Sequence, residues 1–132
     1  MSHTRVASVI DFQNGTYVKL GPIDPQSLAA ELESLLVQGE QVHLAFKGIR
    51  DSVVFTDKRL ISINVQGLTG KKRDYTSLPL SKIQAWSVET AGTFDLDSEL
   101  ELWFSGLGKV RLEFKGNVNI RHISQLIGHH VL

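Results

Sequence analysis

The sequence predicts a mainly β domain with some helix: seven antiparallel strands in a barrel or orthogonal sandwich, with one helix before them and one at the C-terminus. Three observations predict this class. Apolar and polar residues alternate with period two in several segments, most clearly at residues 109–115. Turn signals separate these segments at short, regular intervals. The last segment, residues 117–131, instead carries its apolar residues at helical spacing. A helix at that position could close one end of a barrel.

The composition of the chain limits its class. Its 132 residues suit one domain, and no apolar run approaches the roughly 20 residues of a membrane span. Fourteen basic residues balance fourteen acidic ones, so the strong basic bias of a general nucleic-acid binder is missing and we expect no nucleic-acid partner. There is no cysteine, which excludes disulfides. The N-terminal residues 1–5 lack the apolar core of a secretory signal, so a cytoplasmic location is the expectation.

The first 22 residues are predicted to form an arm or small hairpin outside the main domain, which then covers residues 23–132. Asn14 and Gly15 suit a tight turn because both can adopt positive φ. Apolar residues lie on both sides of this pair, so a hairpin over residues 6–20 is the interpretation.

A helix is predicted over residues 25–38. Asp24 is a good N-cap and Pro25 suits the first helical position. Leucines recur at helical spacing after it, and Gly39 is the predicted stop. The sequence leaves open whether this helix packs on its own barrel or on a neighbouring subunit.

The strands centre on a hairpin over residues 52–67. Val53, Val54 and Phe55 precede a charged turn, and Ile61 and Ile63 alternate with polar residues after it. The other strands are predicted at residues 41–47, 75–78, 83–90, 97–104 and 109–115. A tight turn at residues 48–51 joins the first of these to the central hairpin.

Four stretches resemble the bacterial pleckstrin-homology-like family, formerly known as a domain of unknown function. The stretches are AFKGIRD from Ala45, VFTDKRLI from Val54, QGLTGKK from Gln66 and SVETAGTFDLD from Ser87. The resemblance runs from about Leu28 to the end of the chain. It implies a pleckstrin-like barrel, assembly into a ring-shaped homo-oligomer such as a pentamer, and no established enzyme activity.

Five basic residues are candidate contacts for an anionic lipid headgroup: Lys58, Arg59, Lys71, Lys72 and Arg73. Eukaryotic pleckstrin domains usually hold the headgroup with basic residues around the first strand–strand loop. Here that loop is short and places Asp51 beside Arg50, so an Arg–Asp pair in a solvated turn is the favoured interpretation there.

An acidic series ending in a tryptophan is the candidate subunit interface: Asp97, Glu99, Glu101 and Trp103. The spacing fails as a calcium loop because Leu100 stands where a glycine is needed. The carboxylates are expected on the exposed face of an edge strand, where they could complement Lys71, Lys72 and Arg73 of a neighbouring subunit. Trp103 is expected to be buried between subunits.

No catalytic, cofactor or metal site is expected. No serine lies in a nucleophile elbow, and His122 and His129 are too far apart on one helix for a zinc pair. The favoured hypothesis is a non-enzymatic interaction or scaffold module that forms a homo-oligomeric ring and contacts an unidentified protein. The alternative is a peripheral membrane adaptor that binds anionic lipid through a basic rim.

Overall fold

The computed structural model describes residues 14–66 and 68–132, which form one eight-stranded sheet. The strands are β1 (Asn14–Ile23), β2 (Val42–Lys47), β3 (Asp51–Thr56), β4 (Arg59–Gln66), β5 (Lys72–Pro79), β6 (Ile83–Glu89), β7 (Ser98–Phe104) and β8 (Gly108–Phe114). Helices α1 (Ala29–Leu32) and α2 (Ile120–Val131) complete the chain, with short 3₁₀ turns at Pro25–Leu28 and Leu80–Lys82. The mainly β class and the closing C-terminal helix are therefore confirmed.

The sheet runs in the order β5-β4-β3-β2-β1-β8-β7-β6 and does not close on itself. All neighbouring strands are antiparallel except β1 and β8, which are parallel. The prediction of seven strands was one short, because the sequence of β1 was assigned to an arm or small hairpin outside the main domain.

Strand β1 replaces the C-terminal part of the predicted hairpin. Asn14 and Gly15 begin the strand and pair with β8, so they form no turn. Between Tyr17 and Leu20 the register with β8 shifts, and Lys19 adopts a left-handed φ of 57°. This irregularity turns both Tyr17 and Leu20 inward, three positions apart, and so breaks the period-two pattern of an ordinary strand. The rest of the predicted hairpin falls on residues 1–13, outside the described residues, and an arm there stays a prediction.

The main core lies between the two halves of the sheet and α2. Fully buried residues such as Phe55, Leu102 and Phe114 form its centre. Helix α2 adds Ile120, Ile123 and Ile127, one apolar face at helical spacing. It begins at residue 120 instead of 117, and the Asn119 side chain accepts the His122 N–H as a cap.

A second, smaller core lies on the outer side of β2–β5. Leu28, Leu32, Leu35 and Leu36 cover buried residues of that face such as Ile61. The N-terminal helical segment therefore packs on its own domain. Asp24 caps it as predicted, its carboxylate accepting the Gln26 N–H at 2.9 Å.

The helix predicted to end at residue 38 ends at Leu32. Turns follow it, and the backbone carbonyl of Leu35 accepts a hydrogen bond from Arg59 at 2.6 Å. The Val37 N–H donates to the Glu40 carboxylate at 3.0 Å. These bonds to side chains replace helical backbone hydrogen bonds, which explains the early end of the helix.

Candidate functional site

The turn between β3 and β4 is built around Thr56, whose side chain is fully buried. Its hydroxyl oxygen accepts the backbone N–H groups of Lys58 and Arg59, both at 2.9 Å. The same hydroxyl donates to Glu40 Oε2 at 2.6 Å. Asp57 Oδ1 accepts the Gln41 N–H at 2.9 Å. The Thr-Asp-Lys-Arg segment that carries the family resemblance is therefore a structural turn.

Arg59 completes this turn with its guanidinium group. Its Nε and Nη2 donate to the two oxygens of Glu40, each at 2.8 Å, and Nη1 donates to Ser77 Oγ at 3.0 Å. Because the carboxylate of Glu40 is shielded from solvent, this two-point pair neutralises a buried charge. Burial acts to raise the pKa of Glu40, but the hydrogen bonds from Arg59, Thr56 and the Val37 amide outweigh it and lower the pKa to about 2. Arg59 therefore stabilises the fold through its bonds to Glu40 and Ser77.

The five predicted headgroup contacts do not form one cluster in the protomer. Lys58 and Arg59 lie at the start of β4, whereas Lys71, Lys72 and Arg73 lie at its other end, where Gln66 pairs with Lys72 and Val65 with Arg73. At about 3.3 Å per residue, the length of β4 separates the two groups by roughly 23 Å.

The second of these groups belongs to a larger basic surface, which we call the basic end: Lys47, Arg50, Lys71, Lys72 and Arg73. Three of its members, Lys47, Arg50 and Arg73, line a cavity of about 320 Å³ together with Glu31. Arg73 pairs with Glu31 at 2.9 Å, and the Tyr75 hydroxyl donates to the same carboxylate oxygen at 2.5 Å. Burial raises the pKa of Tyr75, and the bond to Glu31 raises it further. Lys71 and Lys72 are exposed.

Two large apolar side chains project beside the basic end. Ile49 lies at the tip of the β2–β3 loop and is 84% exposed, and Leu68 in the β4–β5 loop is completely exposed. Both loops leave the sheet at the same end, because β2 and β4 run in the same direction. The sequence pattern does not distinguish either residue, since an isolated apolar loop residue is common on protein surfaces.

The outer face of β6, β7 and β8 is predominantly acidic, and we call it the acidic face: Glu89, Glu99, Glu101, Glu113, Lys109, Arg111 and Trp103. The cross-strand register places Glu89 opposite Glu99 and Glu99 opposite Glu113. Four carboxylates meet two cations there, which leaves an excess of two negative charges.

The two cations of the acidic face bridge its carboxylates. Arg111 pairs with Glu99 and lies 4.0 Å from Glu113, and Lys109 lies 3.2 Å from Glu101. The hydrogen bond to Glu99 raises the pKa of Arg111. Lys109 Nζ also lies 6.0 Å from the ring centroid of the half-buried Trp103. Such partly exposed pairs contribute about 0–1 kcal/mol each to stability.

The acidic strand β7 was expected at an edge of the sheet, but this prediction is wrong. It lies between β6 and β8, and β6 forms the edge. Glu99, Glu101 and Trp103 do share one face of β7, whereas Asp97 lies just before the strand, where its N–H donates to Asp95 Oδ1. Their role as a subunit interface stays a prediction.

The ring of His130 lies beside two other histidine rings where the C-terminal end of α2 meets β2. The ring of His130 lies 5.8 Å from that of His43 and 5.1 Å from that of His129, between centroids. Within residues 14–66 and 68–132, no three histidine or acidic side chains are arranged to hold a metal ion. No helix in those ranges is long and apolar enough to cross a bilayer.

These features define a class: an open, mostly antiparallel sheet with a C-terminal helix over its core, which is the pleckstrin-homology arrangement. A family model described as "Bacterial PH domain" matches residues 11–131, and the chain belongs to this family. The match begins inside the segment predicted to lie outside the resemblance, in agreement with the position of β1 within the sheet.

One relative and two solved structures are similar to this chain over most of its length. The uncharacterized protein YjqA of Bacillus subtilis (strain 168) is 44% identical over 118 residues, covering 88% of this chain and 94% of YjqA. The crystal structure of a DUF1696 family protein with a pleckstrin-homology domain from Shewanella loihica PV-4 is 42% identical, with a TM-score of 0.76, and covers 88% of this chain and 100% of that one. A pleckstrin homology domain from Shewanella amazonensis SB2B is 46% identical, with a TM-score of 0.65, and covers 83% and 90%.

Proposed function

We propose that this chain is a non-enzymatic scaffold that assembles into a ring-shaped homo-oligomer through the two edges of its sheet. The observation that carries the proposal is the open sheet itself. Strands β5 and β6 lie at its two ends, and over the described ranges no strand pairs with the outer edge of either. Unpaired strand edges of eight and seven residues are ready templates for pairing with another chain.

The charges at the two edges favour one orientation of pairing. Strand β5 begins with the basic residues Lys72 and Arg73, directly after Lys71, and β6 ends at the acidic Glu89. An antiparallel alignment of β5 with β6 of a second copy brings these ends together. The carboxylates of Glu99 and Glu101 then lie one strand further in, within reach of the neighbour's lysines.

Such a contact joins two different surfaces of the same chain. A heterologous contact of this kind produces a ring when the rotation between subunits closes, and an open filament when it does not. The pairing leaves each subunit with one occupied β5 and one occupied β6, so a closed ring has no remaining edge. In such a ring, the loops of each subunit would contact the protein partner.

The test compares native masses by native mass spectrometry and light scattering at low and high salt. The double variant Glu99→Lys/Glu101→Lys should dissociate the oligomer, and Glu33→Lys, an exposed acidic residue beside α1, is the matched control. Adding Lys71→Glu/Lys72→Glu to the double variant should restore assembly by exchanging the charges of both surfaces. A monomeric wild-type protein, or a double variant that is folded by circular dichroism and keeps the native mass, contradicts the proposal.

A peripheral membrane adaptor is the second candidate, and the exposed Ile49 and Leu68 favour it. Apolar tips beside Lys71 and Lys72 suit insertion into an anionic bilayer surface. Lys58 and Arg59 are too distant to join this contact. Co-sedimentation with phosphatidylserine-containing vesicles, compared with neutral vesicles at two salt concentrations, tests it. Binding should require anionic lipid and disappear in Ile49→Asp/Leu68→Asp. Absence of binding at low salt removes this candidate.

A further inference from the structure

The inner face of the sheet changes from apolar to polar toward the end that carries the β2–β3 loop. The cross-strand register defines three rows over β3, β4 and β5. The deepest row is Phe55, Leu60 and Leu78; the middle row is Val53, Ser62 and Thr76; the outermost row is Asp51, Asn64 and Asp74. The middle and outermost rows therefore place hydroxyl, amide and carboxylate groups where the deepest row has core residues.

These polar groups hold one another in place. Asn64 donates its side-chain amide to Asp51 Oδ1, and the Thr76 hydroxyl donates to Asp74 Oδ1 at 2.9 Å. From β1, the Tyr17 hydroxyl lies 2.6 Å from Ser62 Oγ in a buried contact. The outermost row is thus fixed before any ligand arrives, which reduces the ordering cost of binding.

A cavity of about 360 Å³ opens at this polar row. Its polar lining comes from Tyr17, Asn64, Asp51 and Arg50, and its apolar walls come from Val18, Leu20, Ile49 and Val65. It exists because β1 pairs with β2 only from Gly21 onward, so Tyr17 to Leu20 diverge from β2. A concave site of this size with a few converging polar groups is typical of a small-molecule site.

The electrostatics of this cavity favour a cation. Burial raises the pKa of Asp51, although Asn64 and the charge of Arg50 oppose the rise. Asp51 and Asp74 also act to raise the pKa of Tyr17, which burial takes to about 12. Within the lining the charge of Asp51 is balanced by that of Arg50, and Asp74 adds a negative charge beside Asn64, outside the lining. A positive group beside Asn64 and Asp51 would replace the water that the half-buried carboxylate has lost.

We propose that this cavity binds a small organic cation bearing a primary ammonium group. The ammonium donates to Asp51 and to the side-chain oxygen of Asn64, with the Tyr17 hydroxyl as a further partner. The alkyl portion packs against Val18 and Ile49. An ammonium group has three donors and no acceptor, which suits a lining of carboxylate, amide and hydroxyl oxygens. This site is separate from the sheet edges and does not depend on oligomer formation.

The test is an NMR titration of the ¹⁵N-labelled protein with 1,4-diaminobutane, followed by inorganic phosphate, both at pH 7.5 and constant ionic strength. The diamine should give saturable shifts of the Gly48 and Asp51 amides and of the Asn64 side-chain NH₂ group. Asp51→Asn should weaken binding at least tenfold. Glu113→Gln, which removes a carboxylate from the acidic face, is the matched control and should bind like the wild type.

Three outcomes would overturn the proposal. The first is the absence of saturable shifts at these positions with the diamine. The second is an equal affinity of wild type and Asp51→Asn, which would mean non-specific attraction. The third is saturable binding of phosphate at the same resonances. If Asp51→Asn does not fold, the diamine affinity is measured instead for Tyr17→Phe, which keeps the ring and removes only the hydroxyl.

Discussion

Glu40 and Arg59 lie nineteen positions apart and form a two-point ion pair with both nitrogen–oxygen distances at 2.8 Å. The pair connects the segment after α1 to the start of β4. Because the Glu40 carboxylate is inaccessible to solvent, its charge depends on this partner and on the Thr56 hydroxyl. Arg59, a candidate lipid contact by sequence, thus stabilises the fold.

Replacement of Arg59 by glutamine should destabilise the protein strongly. It leaves the buried carboxylate of Glu40 without its counter-charge, a change that costs about 3–5 kcal/mol in comparable buried pairs. Urea unfolding followed by tryptophan fluorescence measures the effect. The control is Lys58→Gln at the exposed neighbouring position, which should stay within about 0.5 kcal/mol of wild type. Equal stability of the two variants would show that the ion pair contributes nothing.

The same pair should make stability fall at acid pH. The pKa of Glu40 is lowered from 4.5 to about 2 in the folded protein, so its contribution is fully present above about pH 4.5 and is lost as pH falls toward 2. The full contribution is on the order of 3 kcal/mol. Unfolding measured between pH 2 and 7 should show a shallower decline for Glu40→Gln than for wild type. Parallel curves would contradict the assignment.

The sequence predicted the strands whose two faces differ in polarity. Val110, Leu112 and Phe114 are buried and their neighbours are not, as period two requires. Ser62 alternates with Ile61 and Ile63 in the sequence, yet it is as buried as they are, because the Tyr17 side of the sheet covers it while the leucines after Asp24 cover Ile61 on the other side. When both faces of a strand are covered, the alternation of apolar and polar residues no longer predicts which residues are buried.

The candidate sites were less predictable for a related reason. The separation of Lys58 from Lys71 depends on the full length of β4, and the short α1 depends on a hydrogen bond between Arg59 and Leu35, 24 positions apart. The row of Asp51, Asn64 and Asp74 exists only through the cross-strand register. Local patterns do not specify such contacts, since they are tertiary.

Replacement of Gly48 by alanine should destabilise the β2–β3 loop. A Cβ at Gly48 would lie 3.0 Å from the Val18 backbone oxygen, which belongs to β1 and has little freedom to move. We expect a loss of about 1–2 kcal/mol. Gly21→Ala is the matched control, because its Cβ would meet only the flexible Lys115 side chain at 3.5 Å. A Gly48→Ala protein as stable as Gly21→Ala would show that the loop relaxes without cost.

The position of Trp103 on the acidic face leads to a spectroscopic prediction for the proposed oligomer. The chain has two tryptophans, so Trp86→Phe leaves Trp103 as the single reporter. In the protomer Trp103 is half-buried beside Lys109, and burial against a neighbouring subunit would remove it from water. Its emission should therefore shift to shorter wavelength as protein concentration rises through the assembly range, and the shift should disappear in Glu99→Lys/Glu101→Lys. A constant emission maximum across a transition seen by light scattering would place Trp103 outside the interface while leaving assembly through the sheet edges intact.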